Sequence, residues 1–213
     1  MKTITVEKFI DSLNKDLAWR RREIEYFKTR ANGCKPIAQE SLIRSGIALS
    51  YAHWEGYIKN SSNKYLAFVF SQRKRYNELT DNFFGIKLCK ELLPNAKSEK
   101  QYLYTSFSEI YLHTYSETPD FSPDNFIDTH SNLTPDLFKE ILQIIGIKEP
   151  LFSMKYSFIN EKILKHRNEI AHGERPMDIT YDDLSVITKT VIEMLDEYKE
   201  TLSDYALNKK YLK

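Results

Sequence analysis

The chain has 213 residues, a formal net charge of +1 and two cysteines, Cys34 and Cys89. That length suits one domain with a sizeable core, and near-neutrality leaves no global field to draw the chain onto nucleic acid or an acidic membrane. The cysteines lie far apart and form no CxxC pair, which excludes a disulfide framework and a structural zinc site, and no run approaches the roughly 18 apolar residues of a membrane span.

The opening stretch, MKTITVEKFIDSLNK, carries charge every few positions and does not read as a signal peptide, so a cytoplasmic protein with reduced thiols is expected. Val6, Phe9, Ile10, Leu13, Leu17, Ile24 and Phe27 recur at three- and four-residue steps and predict a helix over about 5–30, stopped by Gly33. Pro36 suits the start of a second helix over about 37–70, with Ile43, Ile47, Tyr51, Trp54 and Ile58 in register. Its apolar, aromatic run makes it the expected centre of the core.

From about 71 to 150 the pattern loosens into a basic RKR at 73–75, scattered aromatics and the turn-rich TPDFSPDNFIDTHSN. Within it, SEKQYLYTSFSEIYLHTY predicts a helix capped by Ser98. TPDLFKEILQIIG predicts another, with Thr134 as N-cap, Pro135 at the first position and Gly146 as terminator. NFIDT reads as a short extended piece. Phe158, Ile159, Ile163 and Ile170 then line a helix over about 156–173 that Gly173 ends. Thr180 and Asp183 resemble a capping box for a last helix over about 180–210, through Leu184, Ile187, Val191, Leu195, Tyr198 and Leu202. The expected architecture is an all-α single domain in which two N-terminal helices pack with two C-terminal helices, with a partly helical insertion at about 71–150.

One stretch carries chemistry: LKHRNEIAHGERP, from Leu164 to Pro176. Basic residues favour helix C-termini because they meet the unpaired carbonyls there, and Lys162, Lys165, His166, Arg167 and His172 could all serve that purpose. Arg167 and His172, however, stand about 140° apart on an ideal helix. They reach one point only if the helix end lies in a cleft covered by another helix or a second subunit. On the apolar second helix, Tyr51, Glu55 and Lys59 share one face. Glu55 there either pairs with Lys59 or orients Arg167 or His172. His53, His113 and His130 have no metal-ligand spacing, nor do His166 and His172, so no metal and no cofactor is expected. Arg20-Arg21-Arg22 and RKR at 73–75 read as solvated faces.

R-N-E-I-A-H resembles the R-polar-x(3–5)-H signature of the HEPN family. Its continuation into AHGE, with SYAHWEGYIK, SNLTPDLFKEILQIIG and the final KKYL, is similar to the MAE-type HEPN nucleases. The similarity covers roughly Ile37 to Phe70 and Asn132 to Lys213. It implies a HEPN-type bundle of four to five core helices that dimerises to bring two motifs into one cleft, and a metal-independent endoribonuclease of toxin–antitoxin, abortive-infection or restriction-linked defence. It allows an antitoxin partner, nucleotidyltransferase-like or of another kind. It equally allows a catalytically silent module that binds RNA, a nucleotide or a protein, and a purely structural dimerising bundle stands beside both. For the catalytic case, His172 suits general acid/base work and Arg167 suits phosphate stabilisation. Asn168 would orient the phosphate or the imidazole, with Tyr51 and Glu55 in support. Lys165, His166 and Arg175 would supply local attraction for RNA.

Overall fold

Thr5 opens the first helix: its side chain accepts from the Lys8 amide, and α1 runs Val6–Ala31. Pro36 sits at the first position of α2, Pro36–Ser71, which is buried on nearly every side by Ile43, Trp54, Tyr57, Ile58, Tyr65, Leu66 and Phe68. A helix apolar all round belongs at the centre of a protein, and α2 packs against both α1 and the last helix, which also pack on each other. Gly46 lets this happen, since a Cβ there would stand 2.9 Å from a Leu184 methyl and 3.2 Å from Phe27. The computed structural model describes residues 2–92, 100–120, 126–148, 152–174 and 179–213.

The middle of the chain holds α3, Asp81–Leu92, α4, Lys100–Thr114, and α5, Pro135–Ile144. The first of these was not expected; it buries Phe83, Phe84 and Ile86 and packs on both α4 and α5. In α5 the Thr134 hydroxyl accepts from the Leu137 amide, Pro135 opens the helix, and Gly146 lies beyond its end at φ +75°. The expected Ser98 cap lies outside the described residues. Residues 126–129, within the expected extended piece at NFIDT, belong to no strand, and side chains of α2 bond to them. No strand occurs among the described residues, where a lone antiparallel bridge joins Leu79 to Leu212.

The helix expected at 156–173 is also corrected in kind. After a short 3-10 turn it runs as α6, Tyr156–Phe158, a π segment, Ile159–Leu164, and α7, Lys165–Ala171. The π segment buries Ile159, Ile163 and Leu164, at steps of four and five that a wider turn brings to one side. The last helix, α8, Tyr181–Leu207, begins in a full capping box of Thr180 and Asp183. One charge assignment fails as well. Arg20 is 5% exposed and bonded to Asp16, not solvated, while Arg21 pairs with Asp196 across the bundle.

Candidate active site

Tyr51, Glu55, Lys59 and Asn63 follow one another at four-residue steps on one face of α2, and the chain from Ile127 to Leu133 lies along them in the opposite direction. The Asn63 amide donates to the Ile127 carbonyl at 3.1 Å, and its oxygen accepts from the Ile127 amide at 2.9 Å. Lys59 reaches Asp128 at 2.8 Å, the Thr129 hydroxyl donates to Glu55 at 2.5 Å, and the Leu133 amide donates to the Tyr51 hydroxyl at 2.6 Å. Glu55 therefore does not pair with Lys59, nor does it touch Arg167 or His172. It takes the hydroxyl of Thr129, and its charge lies close to the Tyr51 hydroxyl. Burial pushes the Tyr51 hydroxyl well above its ordinary acidity range, and the Glu55 charge adds to the shift, so Tyr51 stays a proton donor.

Between these anchors the loop makes a tight reversal. His130 and Ser131 both adopt positive φ, +49° and +58°, a costly pair for residues with side chains. The reversal turns the Ser131 carbonyl towards α7, where it accepts from Arg167 at 2.8 Å. The same guanidinium donates to the Asn168 side-chain oxygen at 2.9 Å and lies over the Tyr51 ring, 4.8 Å from its centroid. Arg167 is thus fixed on one face by an aromatic ring and at two N–H groups by acceptors. Its remaining N–H groups bond to no described residue.

His172 caps the C-terminus of α7. Gly173, at φ +77°, donates its amide to the Ile170 carbonyl, and the Glu174 amide closes on the Glu169 carbonyl at 2.9 Å. This doubly bonded ending needs a left-handed residue, which glycine adopts without strain. It leaves His172 exposed, with no side-chain partner among the described residues and no bond to Arg167. Asn168, which accepts from Arg167, stands one turn behind His172 on the same helix face.

The other expected residues divide. Lys165 is exposed and lines a cleft of about 500 Å³ together with Asn132, Asn160, Glu161, Leu164 and Asn168. His166 faces away from that cleft and contacts Glu169 at 3.2 Å. Arg175 lies outside the described residues. Thr129 and Ser131 were missed: one acts through a hydroxyl on a distant helix, the other through a carbonyl every residue possesses. His53 belongs to the core at 3% exposure. Among the described residues no three His, Cys, Asp or Glu side chains are gathered as a metal would require, and no helix is long and apolar enough to cross a membrane.

An all-α bundle that presents an arginine, a polar neighbour and a histidine at one helix end is of the HEPN class. The model of the RiboL-PSP-HEPN family matches residues 15–204, nearly the whole chain, and the chain belongs to that family. The match runs through the middle region, where the motif resemblance fades, and does not itself reach to an MAE-type branch. No curated protein and no solved structure matches the chain. Membership points to an RNase or nucleotide-binding role.

Proposed function

We propose that the protein is a metal-independent endoribonuclease, in which Arg167 and His172 are catalytic and Asn168 holds Arg167 in place. One observation carries this reading. A guanidinium immobilised by Tyr51, Ser131 and Asn168 stands on the helix whose end bears an exposed imidazole with no side-chain partner among the described residues. In the reaction, the substrate's 2′-oxygen attacks the neighbouring phosphorus as its proton passes to an imidazole. The bond from phosphorus to the 5′-oxygen breaks, and that oxygen takes up a proton. The products are a 2′,3′-cyclic phosphate and a 5′-hydroxyl. The free edge of Arg167 stabilises the charge that collects on the phosphorane oxygens, and being held in advance it needs no reorganisation to do so.

A homodimer suits this scheme, since a second copy brings a second imidazole, one to accept and one to donate. The angular argument for a covering subunit is weaker than the sequence alone suggested, because the chain's own 129–133 loop already covers Arg167. A toxin or defence effector of MAE-type affinity, working in the cytoplasm and restrained by an antitoxin, is the biological setting that fits such an activity. A specific observation favours the rival, a catalytically silent RNA-, nucleotide- or protein-binding module: Arg167 spends two N–H groups on protein acceptors.

The deciding experiment incubates purified protein with labelled RNA in excess EDTA, beside a substrate with 2′-deoxy at the cut site. Cleavage of RNA alone, leaving cyclic phosphate ends, supports the nuclease. Arg167→Ala and His172→Ala should each abolish it while leaving the fold intact. Arg167→Lys should also be poor, because a point charge neither lies flat on Tyr51 nor offers two parallel N–H groups. Cutting of the deoxy substrate, loss of cutting in EDTA, or full activity in all three variants would overturn the reading. Sedimentation at micromolar concentration tests the dimer, and a strict monomer would remove it.

A further inference from the structure

The cleft beside Asn168 holds an acid and a base, four residues apart, that both lack a partner among the described residues. Asp11 and Lys15, Lys74 and Glu78, Lys87 and Glu91, and Lys189 and Glu193 stand four residues apart, and each pair closes, at 2.7 to 3.9 Å. Glu161 and Lys165 have the same spacing and do not pair with each other or with any other described residue. The cause lies in the helix. Glu161 belongs to the π segment, whose wider turn places the residue five behind, Asn160, under Lys165. Acid and base both line the cleft without forming an ion pair. The side-chain amides of Asn132 and Asn160 also have no partner among the described residues, and Asn168 gives only its oxygen to Arg167. Leu164, 5% exposed, forms the apolar floor.

Resting on the nuclease reading, we infer that this cleft receives the base next to the scissile phosphate and selects guanine. Guanine alone places two donors side by side, N1–H and the N2 amino group, where one carboxylate accepts both. Its opposite edge offers O6 and N7, which suit an ammonium and an amide N–H. Glu161 takes the donor edge; Lys165 and the Asn168 amide take the acceptor edge, while the ring lies on Leu164. Adenine and cytosine set a lone-pair nitrogen beside their single amino group, which a carboxylate repels, and uracil has one N–H between two carbonyls. Asn168 belongs to the cleft and holds Arg167, so a seated base has its own phosphate close to the guanidinium.

The test measures binding without turnover. Fully 2′-O-methylated pentanucleotides have no nucleophile, so fluorescence anisotropy can compare AAGAA, AAAAA and an AAIAA carrying inosine, which lacks the N2 amino group. The intact protein should bind AAGAA about tenfold more tightly than either of the others. E161Q should erase the difference between guanine and inosine, because a carboxamide cannot accept two N–H bonds with two oxygens. Equal binding of all three, no binding at all, or a guanine preference that survives E161Q would overturn the inference. Unmodified AAGAA is assayed for cutting in parallel. A guanine preference without cutting counts against the nuclease alone, and cutting without preference counts against this inference alone.

Discussion

The two polar faces of α2 solve the same problem in different ways. On one, His53 and Gly56 meet α1: Arg20 donates to Asp16 at 2.9 Å, Lys64 and Trp19 also reach Asp16, and His53 lies 2.9 Å from Glu23 without the alignment of a good hydrogen bond. Gly56 makes room, since a Cβ there would stand 2.9 Å from the Arg20 guanidinium. On the other face, Tyr51, Glu55, Lys59 and Asn63 engage a loop. The first cluster sits between two long helices and pairs its buried charges, Arg20 with Asp16, within the bundle. The second holds a strained loop whose free carbonyl then fixes Arg167. Charge buried between helices serves the fold; charge spent on a loop builds the site.

The sharpest way to break this contrast is Asp16→Ala. It leaves Arg20 buried without its acid, and removing one partner of a buried pair costs about 3–5 kcal/mol. For a chain of this size that is a Tm fall of about 10 °C, read by thermal unfolding, with cutting by the folded fraction unchanged. A loss of cutting with no change in Tm would reverse the roles given to the two faces.

Glu55→Gln and Tyr51→Phe address the other face. Each should lower cutting by about ten- to a hundredfold, since a small misplacement of a catalytic group has effects of that order. Each should cost about 1 kcal/mol of stability, the net worth of a hydrogen bond. Tyr51→Phe keeps the ring beneath Arg167, so it should be the milder of the two. A Tm fall as large as that of Asp16→Ala would make this face structural too.

A pH experiment separates the faces without touching the site. Burial, and after it the Arg20 charge, lower the pKa of His53 below the ordinary histidine range, against the smaller pull of Glu23 and Asp16. The unfolded chain therefore takes up a proton that the folded chain refuses. Stability is fully present above the unfolded value, about 6.5, and is lost as pH falls from there towards the lowered folded value. His53→Gln should flatten that part of the Tm profile. An unchanged profile would mean that His53 protonates freely in the fold.

The smallest effect belongs to Ser131→Gly. Arg167 uses the carbonyl of residue 131, which glycine keeps, and glycine adopts φ +58° without strain. Relief in the fold and added freedom in the unfolded chain nearly cancel, so Tm should move by no more than about 1 kcal/mol equivalent, with cutting retained. Loss of cutting would assign a role to the serine hydroxyl.

Much of this was open to a reader of the residues. Thr5, Pro36, Thr134 and Thr180 announce their helices through capping chemistry, and the four-residue spacing of Tyr51, Glu55 and Lys59 marks a polar face on an apolar helix. What that face meets was not open, because Thr129 and Ser131 act through a turn with no glycine to signal it. The burial of Arg20 hid in a run of three arginines, and the hint was a neighbouring oddity, a glycine inside the most apolar helix. The π segment escaped because Ile159, Ile163 and Ile170 suit an α-helix nearly as well. Glu161 and Lys165, which have no partner among the described residues, betray the wider turn only in three dimensions.

The α2 face of Tyr51, Glu55, Lys59 and Asn63 also bears on the order in which the molecule comes together. Its contacts link residues 64 to 82 positions apart, whereas the α1 ion pair joins residues four apart. Closing large loops costs entropy before any contact repays it, so distant pairings form late. The clamp on Arg167 needs residues 51, 131 and 168 together, so it is complete only when most of the chain has been made and docked. For a proposed RNA-cutting enzyme made on an RNA-rich machine, that order is a built-in delay: Tyr51 and Ser131 are made first, and Arg167, the last of the three, arrives only with the final quarter of the chain.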